Sequence, residues 1–94
     1  MDYQWDPRKA ADNLAKHSVD FADAVMALED DNALTIADQD ADELRFKTLG
    51  MGPWLNVLYV VHAERGGDCI RIISARTASK REMKQYSRGL EDYG

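Results

Sequence analysis

The run IRIISARTASKREMKQY, Ile70 to Tyr86, changes its period partway and so dictates two elements and the joint between them. Its first half alternates, with Ile70, Ile72 and Ser74 on one side and Arg71, Ile73 and Ala75 on the other, the mark of a strand. Its second half is helical. Ser79 and Glu82 have the spacing of a capping box, in which the hydroxyl accepts the third N–H and the carboxylate returns to the cap's own N–H. From Lys80 onward Met83, Tyr86 and Leu90 make an apolar stripe, and Lys80, Arg81, Lys84 and Arg88 fall on a different arc. A buried strand therefore delivers Arg76 to its carboxyl end beside a cationic helix. The expectation is that these cations converge on a phosphodiester.

The rest of the chain is organised to support that unit. Tyr3 to Trp5 reads as a short strand. Asp6-Pro7 opens a helix, with Asp6 as cap and Pro7 where a missing N–H costs little. Ala10, Ala11, Leu14 and Ala15 give it a narrow apolar side, and Lys16-His17 ends it with charge that suits the dipole. Asp20 caps a second helix, with Val19 and Ala24 as a weak staple. Phe21, Ala24, Val25 and Leu28 form its inner face, and Glu29 to Asn32 close it as a polar turn in which Asn32 can take a left-handed conformation. Ala33–Ala37 is a strand, Asp38–Glu43 an acidic loop, and Leu44–Leu49 a strand with Arg45 and Lys47 opposite Leu44 and Phe46. Gly50 to Pro53 is a turn cluster. Trp54–Ala63 is apolar on both sides and therefore central. Glu64 to Asp68 is a hairpin connection in which Gly66-Gly67 supplies positive φ. The order is β-α-α-β-β-β-β-α: an α+β fold, one twisted and mostly antiparallel sheet with two N-terminal helices and one C-terminal helix.

Ninety-four residues make one domain, 1–94, with a modest core. No run approaches a membrane span, no export leader precedes Trp5, and the single Cys69 has no internal disulfide partner, so a reducing cytoplasm is the expected location. The net charge of −5 argues against loose nucleic-acid affinity. Its distribution says more. Residues 1–60 carry 12 acidic and 5 basic side chains, residues 61–94 carry 5 and 7. The basic groups gather on the last hairpin and helix, and the acidic remainder offers a surface for a basic partner.

Cleavage of RNA through its own 2′-hydroxyl needs a base, a cation at the crowded phosphate and an acid for the leaving oxygen. Arg76 is the first choice as phosphate clamp, because its fork matches a phosphate; the alternative is a salt bridge to a nearby carboxylate. Arg81 and Lys80 follow, in a helical first turn whose free N–H groups also favour anions, or else as a solvated face. A two-residue Gly66-Gly67 turn sets His62 opposite Arg71 and Tyr59 opposite Ser74. His62 is then a candidate acid or base, or a satisfied strand histidine. Glu82 reads as a cap rather than a base. Arg65 is a substrate contact or an ordinary exposed arginine. The two histidines lie 45 positions apart and no Cys/His/Asp set clusters, so neither a metal site nor a cofactor is expected. No nucleophile elbow or phosphate-binding glycine loop is present.

The segment RIISAR-T-A-S-KRE-MKQY resembles the C-terminal signature of the BrnT family of toxins, and the opening from Trp5 to Ala24 resembles that family's W-D-x-x-K-x-x-x-N-x-x-K-H-x-V-x-F-x-x-A. The resemblance implies a fold similar to RelE-type toxins and a ribonuclease that halts translation. It implies a BrnA-type ribbon-helix-helix antitoxin, a heterotetramer built on an antitoxin dimer, and operator DNA contacted through the antitoxin only. On the same ground Lys16 and His17 are candidates for substrate support rather than capping alone. Trp5, which also matches the motif, is a core anchor or, as the alternative, a residue that stacks a base; Lys84, from the cationic arc of the last helix, extends the substrate-binding set. The competing expectation is a non-catalytic binding module, a corepressor within an antitoxin–DNA complex.

Overall fold

The computed structural model describes residues 1–38 and 44–93, with side chains up to residue 89. Of the acidic loop expected at Asp38–Glu43, Asp38 instead ends a strand, and residues 39–43, like the Leu90 side chain, lie outside the described residues. The elements are β1 (Asp2–Gln4), α1 (Pro7–His17), α2 (Phe21–Leu28), β2 (Leu34–Asp38), β3 (Arg45–Met51), β4 (Val57–Glu64), β5 (Cys69–Thr77) and α3 (Lys80–Tyr93). They follow the expected order. One mixed sheet runs β1-β5-β4-β3-β2, with the long apolar β4 at its centre. β1 joins β5 in parallel and every other pairing is antiparallel.

Local chemistry sets the helix ends. The Asp6 carboxylate accepts from Arg8 N at 2.8 Å and the Asp20 carboxylate from Ala22 N at 2.9 Å. Ser18, not Asn32, takes the left-handed conformation, at φ 58°, where its N–H reaches back to Leu14 O and closes α1. At α3 the capping box forms as read: Ser79 N donates to Glu82 Oε1 at 2.8 Å and Glu82 N to Ser79 Oγ at 3.2 Å.

The main core lies between α2 and the sheet. Phe21, Ala24 and Ala27 meet Leu58, Val60, Ile72 and Ala75, all buried. Packing is backbone-close at Gly50, where an added Cβ would sit 2.0 Å from Ala27 O. The first helix departs from its expected face: Ala10 is half-buried, while Ala11 and Ala15 are exposed and Leu14 is half in solvent. Its buried residue is Asn13. The short β1 leaves most of the outer edge of β5 unpaired, and the Asn13 amide fills that place. It accepts from Ala75 N at 3.1 Å and donates to Ala75 O at 2.8 Å and to Val19 O at 3.0 Å. A side-chain amide here does what a further strand residue would do. On the opposite sheet face, α3 lays Tyr86 against Leu34, Leu49, Met51, Val57 and Tyr59.

The last hairpin differs from the expected register. Arg65 N donates to Cys69 O, so the connection spans Gly66 to Asp68 rather than two residues. A β-bulge between Val61 and His62 then shifts the ladder again. His62 therefore faces Ile72 rather than Arg71, and Tyr59 faces Arg76 rather than Ser74. The bulge also turns Arg71, Ser74 and Arg76 to one side of the sheet, because they pair with Ala63, Val61 and Tyr59, alternate residues of β4. The second strand pair begins later than expected as well. Gly50 and Met51 belong to β3, and Pro53 to Leu55 form the turn.

Candidate functional site: the cationic face of the sheet

The registers sort the sheet into two unlike faces. Toward α2 stand Phe46, Thr48, Gly50, Leu58, Val60, His62, Ile72, Ala75 and Thr77, with Glu64 at the strand end. The other face carries Arg45 and Lys47 of β3, Tyr59 and Val61 of β4, and Arg71, Ser74 and Arg76 of β5. All seven are half-buried. Four guanidinium or ammonium groups thus share a surface on a chain whose net charge is −5. The α3 helix roofs one end of this face and leaves a cavity of about 240 Å³ between itself and the strands. Leu34, Ile36 and Leu49 form its apolar wall; Lys47, Tyr59, Glu82 and Gln85 supply its polar groups.

Arg76 lies outside the cavity's lining but is held on two sides by residues that belong to it, Glu82 and Tyr59. Its Nη1 and Nη2 donate to Glu82 Oε1 and Oε2 at 2.8 and 3.0 Å, and its guanidinium lies 4.1 Å from the Tyr59 ring centre. Of the two readings offered for Arg76, the salt bridge to a nearby carboxylate is what the structure shows, and it fixes the side chain's orientation. The hydrogen bonds from Arg76 hold the Glu82 carboxyl down at about 2, with the Ser79 N–H adding to the effect. Glu82 is an anion across the neutral range, a counter-ion and cap rather than a base. Lys47 sits 3.6 Å from Asp38, and Tyr59 first, then Asp38, holds its ammonium above the usual lysine range.

A second fixed point closes the far end of the roof. The Asp30 carboxylate accepts from Tyr86 Oη at 2.5 Å and from Met51 N at 2.8 Å. Burial, then this hydrogen bond, pushes the Tyr86 phenol up to about 12. So α3 is tied to the sheet through Glu82 at its start and Tyr86 one turn later.

The other expected site residues are dispersed. Lys80 and Arg81 are exposed on the first turn of α3 and neither lines the cavity. The expected convergence of Arg76 with Lys80 and Arg81 in one pocket is not what the structure shows: Glu82 pairs with Arg76, and the two helix cations stand in solvent. Lys84 lines a shallow cleft with Met83, Ser87 and Arg88 on the outward side of the helix. His62 is only 6 % exposed, stacked on Phe46, and its Nε2 lies 2.8 Å from Thr48 Oγ1. Thr48 Oγ1 in turn meets Thr35 Oγ1 at 2.7 Å. Burial lowers the His62 pKa, so the ring is neutral and belongs to the core on the face away from the cavity. Arg65 is exposed at the last hairpin.

Trp5 packs edge-on against Phe21, with centroids 6.0 Å apart, and its free side lines a cleft with Gln4, Asp6 and Arg71. Lys16 and His17 meet Lys9, Asp12, Asn13, Ile73 and Ser74 in a cleft between α1 and β5. Lys9 was legible only through the N-terminal motif, and Arg45, Lys47 and Arg71 were not singled out at all; only the strand registers place them with Arg76. Among the described residues no three His, Cys, Asp or Glu side chains gather as a metal site, and no helix is long and apolar enough to cross a membrane.

A small α+β domain with a cationic sheet face partly roofed by its last helix is suited to holding a polyanion. Sequence comparison supplies the family. A model describing the ribonuclease toxin BrnT of type II toxin–antitoxin systems matches residues 5–82. The chain belongs to this family, and membership implies an antitoxin partner. Among solved structures, the crystal structure of the Brucella abortus ribonuclease toxin BrnT is similar at a TM-score of 0.69 and 32% identity, covering 85% of this chain and 99% of that one. No curated protein matches the chain.

Proposed function

We propose that this chain is a ribonuclease toxin that cleaves RNA without a metal ion, inhibits translation, and is neutralised by a BrnA-type ribbon-helix-helix antitoxin in a heterotetramer. Operator DNA is contacted only through that antitoxin, and the complex acts in the cytoplasm. The observation that carries the catalytic part is the segregation of Arg45, Lys47, Arg71 and Arg76 on one sheet face.

Arg76 clamps the scissile phosphate with the donor edge that Glu82 leaves open. The carboxylate and the Tyr59 ring hold the guanidinium in place beforehand, so little side-chain freedom is lost on binding. Lys47 faces the same cavity and adds positive charge where the phosphorane develops. Arg45 and Arg71 hold the flanking backbone. Lys16, His17 and Trp5 line adjoining clefts and support the strand beyond the scissile bond, while Arg65, Lys80, Arg81 and Lys84 raise the positive potential at the edges. The 2′-oxygen attacks phosphorus in line and gives its proton to water; the P–O5′ bond breaks, leaving a 2′,3′-cyclic phosphate and a 5′-hydroxyl that takes its proton from water.

Purified chain free of partner, incubated with RNA and EDTA, is expected to cut, and Arg76→Ala to lose about 100-fold in rate. The full use of Glu82 by Arg76 favours one competing reading, a non-catalytic corepressor. Soluble wild-type chain that cuts nothing would select it.

A further inference from the structure

The turn between β3 and β4 places two large apolar side chains in water. Trp54 is 78% exposed and Leu55 is 87% exposed. Leu55 also sits at φ +59°, a left-handed conformation that a bulky side chain rarely takes. Nothing in the fold rewards either feature. Trp54 is nevertheless fixed: its indole Nε1 donates to Asp23 Oδ2 at 3.2 Å, which lays the ring along α2. Met26, one turn after Asp23 on the same side of that helix, is 53% exposed. The hydrogen bond to Asp23 thus brings the exposed pair Trp54 and Leu55 to the helix that carries the exposed Met26.

The α2 segment to which Trp54 is tied carries one sign. Residues 18–32 carry Asp20, Asp23, Glu29, Asp30 and Asp31 and no lysine or arginine; residues 50–56 carry no charge. Asp30 is spent on Tyr86 and Met51, while Asp20, Glu29 and Asp31 are exposed. This surface repels RNA, and α2 lies on the sheet face opposite Arg76.

We propose that Met26, Trp54 and Leu55, within their acidic rim, are the docking surface for a basic, amphipathic segment of the antitoxin. The occupant is argued from charge complementarity: apolar anchors seat on the indole and the leucine, and basic side chains meet the carboxylates. The proposal rests on the toxin–antitoxin reading above. It goes beyond it in separating the two surfaces, so that partner affinity resides away from the RNA-binding face.

The test uses the full chain and the ribbon-helix-helix protein encoded beside its gene, with binding measured by calorimetry and RNA cleavage measured on the free chain. Leu55→Glu and Trp54→Ser both lie in solvent and leave the core intact. Each is expected to raise Kd by about 30-fold or more, the effect of losing a central anchor, with cleavage by the free variant unchanged. Wild-type binding is also expected to weaken with salt. Wild-type Kd in both variants overturns the proposal. So does a self-association of the free chain that Leu55→Glu abolishes, which would assign the patch to a second copy. Chain that cuts RNA but ignores this antitoxin refutes the docking surface and leaves the ribonuclease reading intact. Chain that binds through Leu55 but never cuts refutes the ribonuclease reading and leaves the docking surface.

Discussion

Replacing Asn13 with leucine tests how the N-terminal helix is fastened to the strand that carries Arg76. The side chain is 6% exposed and joins three backbone groups: Ala75 N, Ala75 O and Val19 O. Leucine has the same count and branching of side-chain heavy atoms, so the change removes hydrogen bonds and leaves no cavity. Ala75 and Val19 are themselves 1% and 6% exposed, so their freed groups meet little water. Each orphaned buried group costs about 1–3 kcal/mol, and partial relaxation brings the three to about 3–5 kcal/mol together. A domain of this size has about 5–14 kcal/mol to lose, so the variant should fold marginally. Urea denaturation followed by circular dichroism should show the loss at an unchanged m-value, and thermal melting should drop by about 12–25 °C. A loss below about 1 kcal/mol would refute the reasoning: Ala75 would then find water, and Asn13 would not stand in for a strand.

Three further outcomes follow from single contacts. Glu82 has a folded pKa of about 2 against an ordinary 4.5, so its stabilisation is present above about pH 4.5 and is lost as pH falls toward 2. Because Arg76 is 39% exposed, the increment is discounted to about 1–2 kcal/mol; the stability gap between wild type and Glu82→Gln should close over that window, and a pH-independent gap would count against the ion pair. His62→Gln keeps a partner for Thr48 and should leave the pH–rate profile of cleavage unmoved, whereas a lost inflection near neutrality would make the histidine catalytic after all. Gly50→Ala drives a Cβ to 2.0 Å from Ala27 O and should cost about 2–3 kcal/mol in denaturation, while wild-type stability would mean α2 can move off β3.

The features that could be read from the chain are those written in neighbouring residues. Asp6, Asp20 and the Ser79/Glu82 pair announce their helices because a cap is a contact between residues two or three apart. The apolar run of β4 announces a central strand for a similar reason. Long-range placement was less legible. A bulge at Val61/His62 moves every later pair of the last hairpin, and no local residue pattern declares it. Arg45 and Lys47 could be put opposite Leu44 and Phe46, yet their company with Arg71 and Arg76 depends on two registers and the bulge in the second. The α1 face was misjudged because alanines suggested packing, whereas the helix docks by an amide against an open strand edge. Trp54 was read as the start of the central strand, but the turn runs through it and leaves it in solvent.

The claim on which the rest depends is that one face of the sheet grips an RNA backbone. The salt dependence of binding to a 2′-O-methyl RNA, which cannot be cut, measures this directly. With Arg45, Lys47, Arg71 and Arg76 each neutralising a phosphate, log K against log salt should fall with a slope near about −3, and each single alanine variant should be shallower by about 0.7. Slopes unchanged in all four variants, with the loss appearing instead in an alanine variant of Arg8 on the exposed side of α1, would contradict it.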